Sequence, residues 1–237
     1  MHYKLHYFDV RGFGESIRLF LHYHGLKFED LRYPLPNQPD QSKWQAMKPS
    51  KVIENKRYFT DPICEVPPFC CNTIIAETPQ GKLPVLEVDG KMLGQSLAIS
   101  RYLAKKHGLA GKDDWEQAKI DELADFTRDL FKEVHGDYLA IVFGSKPGDK
   151  AKLQTEVFLP AIEKNYPIFQ KTLNESGSGF AMKSGLTWVD FCLAEVIMML
   201  NGFDAELAKK YPDLAKYTEK VLSLPQIGKY VESRPKI

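Results

Sequence analysis

The sequence carries almost no net charge: 32 lysines and arginines against 31 aspartates and glutamates leave +1. No overall field therefore draws the chain to nucleic acid or to an anionic membrane surface. Long hydrophobic runs are also missing. The longest, residues 191–200, is about half a membrane span and is broken by Glu195. Together with a mean hydropathy of −0.34, this leads to the expectation of a protein with no membrane association. The first residues, Met1-His2-Tyr3-Lys4-Leu5, run into a strand-like pattern without the apolar segment of a signal peptide, so a cytoplasmic, reducing location is expected. Cysteine is scarce, with only four residues, three of them crowded at Cys64, Cys70 and Cys71. No Cys-x-x-Cys spacing or histidine partner accompanies them, and neighbouring side chains diverge, so no metal is expected. The glycines near residue 12 do not make a G-x-G-x-x-G phosphate loop. Repeats and low-complexity tracts are absent.

What is present divides into two regimes. Residues 3–8 alternate and are rich in aromatics, the pattern of a strand. Ile17, Phe20, Leu21 and His24 then recur at helical spacing, and Gly25 supplies a stop. Residues 28–33 and 83–88 read as further strands, the latter turning through Asp89-Gly90 into 91–93 as a hairpin. Gln95-Ser96 opens a helix carrying Leu97, Ile99, Tyr102 and Leu103, with Ser96 suited to the N-cap. After Gly108 and Gly111 every apolar pattern is helical. One very long helix runs past Ile120, Leu130 and Val134 to Ile141, and another spans 153–169 with a kink expected at Pro160. Thr187-Trp188-Val189-Asp190 looks like a capping box, with Asp in place of Glu. The run it opens is apolar on nearly every face and so should be buried, Cys192 included. At 237 residues, two domains are expected, 1–109 mixed α/β and 111–237 all-helical.

Three features can carry chemistry. Proline in Leu83-Pro84-Val85 removes a ladder donor, so it marks either a strand edge or a cis peptide whose preceding residue offers its backbone to an extended peptide ligand. Gln95-Ser96 at a helix start offers N–H groups and a favourable dipole to a carboxylate. Tyr7 ends the first strand just before Asp9-Val10-Arg11-Gly12-Phe13-Gly14. It is either core or a hydroxyl that stabilises a ligand thiolate. His22 and His24, two apart on a helix, do not share a face and read as surface or packing residues.

Tyr7-Phe8 with Arg11-Gly12-x-Gly14-Glu15, then the run Gly81 to Gly90, then Gln95-Ser96-Leu97-Ala98-Ile99-Ser100-Arg101-Tyr102 together resemble a glutathione S-transferase. The likeness is to the sigma class and its nematode branch, related to glutathione-dependent prostaglandin D synthase. It implies an α/β thioredoxin-like N-terminal domain plus an all-α C-terminal helical bundle, and a homodimer. Glutathione is implied as co-substrate, with a small-molecule electrophile as its acceptor and no metal. The resemblance assigns Tyr7 to the thiolate, and Trp44, Lys48 and Lys82 to the glutathione site. Leu83 before Pro84 docks its backbone, and Gln95 and Ser96 hold the γ-glutamyl carboxylate. Asp129 reaches the γ-glutamyl amine from the other subunit.

The chain departs from this pattern twice. Phe13 stands where many sigma members have arginine, removing a cation near the tyrosine. Roughly 27 additional residues, about 51–77, separate Trp44 from Lys82 and contain all three clustered cysteines. They are either a lineage-specific loop or sequence that messenger processing normally removes. A second-substrate pocket is expected from Phe8, Phe13, the 134–138 region and the C-terminal end. The implied activity is conjugation of glutathione to hydrophobic electrophiles in detoxification. Its alternatives are prostaglandin D isomerisation and non-catalytic binding of glutathione or hydrophobic ligands.

Overall fold

The computed structural model describes residues 1–33, 78–143 and 146–235. Expectations for Trp44, Lys48, the clustered cysteines and the 51–77 insertion lie outside the described residues. Two compact units emerge. The first draws its described residues from Met1–Leu21, Gly25–Ser100 and Pro235; the second draws them from His22–His24 and Arg101–Arg234.

In the first unit, β1 (Tyr3–Phe8), β2 (Phe28–Tyr33), β3 (Val85–Val88) and β4 (Lys91–Gly94) form a sheet of order β2-β1-β3-β4. β1 runs parallel to β2 and antiparallel to β3, and β3 is antiparallel to β4. The parallel pair is joined through α1 (Gly12–Tyr23), the crossover that such a pair requires. A second helix, α2 (Ser96–His107), follows β4 directly. Period-two alternation in β1 buries Tyr3, Leu5 and Tyr7, while Lys4, His6 and Phe8 are half-buried. Ile17, Leu19, Phe20 and Leu21 of α1, Val85 and Leu86 of β3 and Ile99 of α2 add to the buried apolar residues of this unit, each at most 1% exposed.

The other face of the sheet is polar. His6 Nδ1 lies 2.8 Å from Tyr33 Oη, its Nε2 is 3.6 Å from Glu87, and Lys4 pairs with Glu87 at 3.4 Å. Burial outweighs the neighbouring carboxylate and holds the His6 imidazole below its ordinary pKa.

The second unit is all helical. α3 (Asp114–Val134) continues through a π-helical stretch, His135–Leu139, into α4 (Ala140–Val142). α5 (Lys150–Leu153) likewise leads through π-helical Gln154–Phe158 into α6 (Leu159–Ser176). Then follow α7 (Trp188–Phe203), α8 (Glu206–Lys210), α9 (Pro212–Leu222) and α10 (Gly228–Ser233). The kink expected at Pro160 is replaced by this geometry. Pro160 sits in the first turn of α6, where a missing N–H costs little, and the irregular turn precedes it.

α7 is central, packing on α3 and α9, and it is buried around most of its circumference. Its start is held by Asp190, which is 0% exposed. The carboxylate accepts the N–H groups of Ala181 and Thr187, both at 2.7 Å, the Thr187 hydroxyl at 3.1 Å and the Tyr217 hydroxyl at 2.9 Å. The expected capping box is thus present, and it also ties the preceding loop and α9 to α7.

Two consequences are measurable. Asp190→Ala strands several buried donors and should lower stability by about 3 kcal/mol or more, with Tyr217→Phe costing about 1 kcal/mol, both read by urea denaturation. For His6, the unfolded chain binds the proton first, so the stability it contributes is full above about pH 6.5 and is lost as pH falls below that value. His6→Gln should therefore lose less stability than wild type between neutral pH and mildly acidic pH.

Candidate active site

The sheet register gathers the sequence-identified residues of the first unit. β1 pairs with β3 through His6 and Val85, and β3 pairs with β4 through Val85 and Gly94. Extending both registers by one residue places Pro84 beside Tyr7 on one side and beside Gln95 on the other. The end of β1, the start of β3 and the end of β4 thus meet at one end of the sheet. Tyr7, Leu83-Pro84 and Gln95-Ser96 are brought together there.

Tyr7 is 6% exposed. Its hydroxyl accepts the Phe13 N–H at 2.9 Å. The turn after β1 lies so close that only glycine fits twice. A Cβ on Gly14 would come within 2.5 Å of the Tyr7 ring, and one on Gly12, at φ +37°, within 2.6 Å of its hydroxyl. The backbone of this turn therefore helps to fix the phenol. An N–H given to its oxygen favours the phenolate-like charge distribution, which strengthens the phenol as a donor to an anion.

Arg18, fully buried, holds this turn. It donates to the carbonyls of Val10 at 2.7 Å and Phe8 at 3.2 Å, and pairs with Asp30 at 3.1 Å and Glu15 at 3.3 Å. Its guanidinium carbon lies 5.7 Å from the Tyr7 ring centroid. Arg32 extends the network by joining Asp30 at 2.7 Å and Asp9 at 3.1 Å. A cation thus lies close to the Tyr7 ring. Neither Arg18 nor the Phe13 N–H is marked by the sequence as part of the site, because their partners come from other elements of the fold.

The Leu83–Pro84 peptide is cis, one of the two possibilities raised by that proline. Lys82 is exposed, and its N–H donates to the Thr78 hydroxyl at 3.1 Å. Gln95 adopts φ +70°, a left-handed conformation uncommon for glutamine, and its carbonyl accepts the Ile99 N–H at 2.9 Å. Gln95 therefore occupies the N-cap place that the sequence suggested for Ser96. The helix begins at Ser96 because the backbone reverses one residue earlier. Backbone strain of this kind gathers at ligand-holding positions. Gln95 is exposed, whereas Ser96 is buried.

Asp129 belongs to the second unit, on an exposed part of α3, where it pairs with Lys132 at 3.2 Å. Tyr138, expected near a second-substrate pocket, is 0% exposed. It stacks on Phe158 at 4.8 Å between centroids, because its π-helical turn directs it into the helical core. Among the described residues no group of three or more potential metal ligands occurs, and no helix is long and apolar enough to cross a membrane.

Comparison with known proteins finds relatives along the whole chain. Residues 12–106 match the glutathione S-transferase N-terminal domain, and residues 132–234 match the C-terminal domain. Probable glutathione S-transferase 7 of Caenorhabditis elegans is 37% identical over 99% of this chain and 98% of its own. The monomeric glutathione S-transferase Na-GST-3 of the hookworm Necator americanus superposes with a TM-score of 0.81 at 35% identity, covering 100% of this chain and 99% of its own. A prostaglandin synthase D of Nilaparvata lugens does so with a TM-score of 0.74 at 28% identity, over 99% and 100%. With a tyrosine, a cis-proline loop and a strained helix start converging at one sheet end, and with relatives along its whole length, the chain belongs to the glutathione S-transferase family and is a glutathione transferase.

Proposed function

We propose that this chain conjugates glutathione to hydrophobic electrophiles in a detoxification role, as a sigma-class, cytoplasmic enzyme. The convergence of Tyr7, Leu83-Pro84 and Gln95-Ser96 at one end of the sheet carries this reading. Tyr7 donates its hydroxyl proton in a hydrogen bond to the glutathione sulfur, stabilising the thiolate and raising its population at neutral pH. The thiolate forms a carbon–sulfur bond with the electrophile, and a leaving group such as chloride departs with its electron pair. Leu83 offers its backbone to the tripeptide, and Gln95 and Ser96 take the γ-glutamyl carboxylate at the start of α2. Lys82 contributes positive charge, with Trp44 and Lys48 assigned to the glycyl carboxylate. Asp129 reaches the γ-glutamyl amine of a partner subunit in a homodimer. The bound geometry turns a bimolecular encounter into an oriented one.

A second reading is glutathione-dependent isomerisation of prostaglandin H to D, favoured by the similarity to the prostaglandin synthase D structure. The thiolate attacks one endoperoxide oxygen, forming a sulfur–oxygen bond as the oxygen–oxygen bond breaks and the second oxygen takes up a proton; loss of the proton on the adjoining carbon then forms the ketone and expels the thiolate. Isomerisation therefore leaves total glutathione unchanged, whereas conjugation consumes it. Quantifying glutathione and products with each substrate separates the two.

Tyr7→Phe should lower kcat/KM for a chloronitrobenzene by about 10²-fold, with glutathione affinity nearly retained; equal rates in the two proteins would overturn the role of Tyr7. Gly14→Ala should reduce the same rate at least as much, because its methyl group displaces the Tyr7 ring. If its activity matches wild type, the fixed placement of the phenol is not what the reaction requires.

A further inference from the structure

We propose that His24 and His107 form a binding site for one divalent transition-metal ion, separate from the glutathione site. The two rings belong to the same unit, with centroids 6.0 Å apart and planes tilted by 41°. An ion held at about 2.0–2.1 Å by one nitrogen of each ring sets the two centroids about 5–6 Å apart, so this pair is already spaced to share one. His22, two positions away, does not share the face of His24; the fold instead brings His107 to it from α2. His22 is engaged elsewhere, stacked on Tyr230 at 4.0 Å.

The position suits a cation for a second reason. His107 is the last residue of α2, and His24 follows the last residue of α1, so each ring stands where a helix leaves its final carbonyls and its negative dipole end. These ends oppose the repulsion from Lys105 and Lys106 in the same turn of α2. The rings are also held in place. His24 meets Tyr23 edge-on at 5.1 Å, and Tyr23 packs on Phe191 of α7 at 5.6 Å. Both histidines are only partly buried. Burial keeps each imidazole below its ordinary pKa, helped at His24 by the facing ring and at His107 by Lys106. The neutral form is the one that ligates. Two imidazoles and water suit Cu²⁺, Ni²⁺ or Zn²⁺ and offer little to Mg²⁺, which demands oxygen.

The test is calorimetric titration of the tag-free, full-length protein with Ni²⁺ and Cu²⁺ in glutathione-free buffer, with Mg²⁺ as control. Wild type should bind one ion of either transition metal at this site, and none of the magnesium. His24→Gln and His107→Gln should each weaken that site about ten- to a hundredfold, while His22→Gln and His2→Gln leave it intact. Circular dichroism and thermal melting verify that each variant is folded, and glutathione affinity should be unchanged in both ligand variants. Binding by folded His24→Gln or His107→Gln that equals wild type would overturn the site, as would wild-type binding of nickel and copper no tighter than that of magnesium. Loss of metal binding with intact glutathione binding separates this site from the activity proposed above.

Discussion

A guanidinium with no access to water cannot stand uncompensated, and the arrangement that compensates Arg18 organises the chemistry of the first unit. Two carboxylates and two main-chain carbonyls surround it. One carbonyl, of Phe8, ends β1, and the other, of Val10, lies in the turn between β1 and α1. By fixing that turn, the buried charge fixes the main-chain N–H that meets Tyr7 and the two glycines that lie against its ring. The desolvation of such a group is costly, and removing one partner would leave the cost without the gain. Asp30 on β2 contributes to this compensation, so the parallel strand pairing and the tyrosine geometry depend on one another.

Much of the fold was legible because burial acts on simple periods. β1 appeared at residues 3–8 because one face of the sheet must be apolar, and the helical half appeared because its apolar residues repeat at helical spacing. The capping box before α7 was legible for a different reason. Its residues are adjacent in sequence, so local chemistry alone determines it. The reach of Asp190 to Tyr217 was not visible, because nothing local links positions 27 residues apart.

The site divides along the same line. The proline loop and the start of α2 carry their meaning in consecutive residues. Their proximity to Tyr7 depends on strand register, which the sequence does not display. Arg18 was passed over because its neighbours read as an ordinary amphipathic helix, and a charge on an apolar face has meaning only once its partners are known. The π-helical stretches were hidden too. They each add a residue to a turn without altering composition, and one of them directs Tyr138 into the helical core.

The two glycines against Tyr7 give the site an unusual kind of precision. Its most constrained dimension is empty space: the volume that two missing methyl groups leave for a ring. A contact made by side chains can drift through a series of similar residues, each nearly as good as the last. A contact made by absence has no neighbouring variants, since alanine is already too large. Adaptation to new acceptors must then come from residues around the tyrosine and not from the turn that seats it, which makes this turn the most sensitive place to look for loss of activity in divergent copies of the chain.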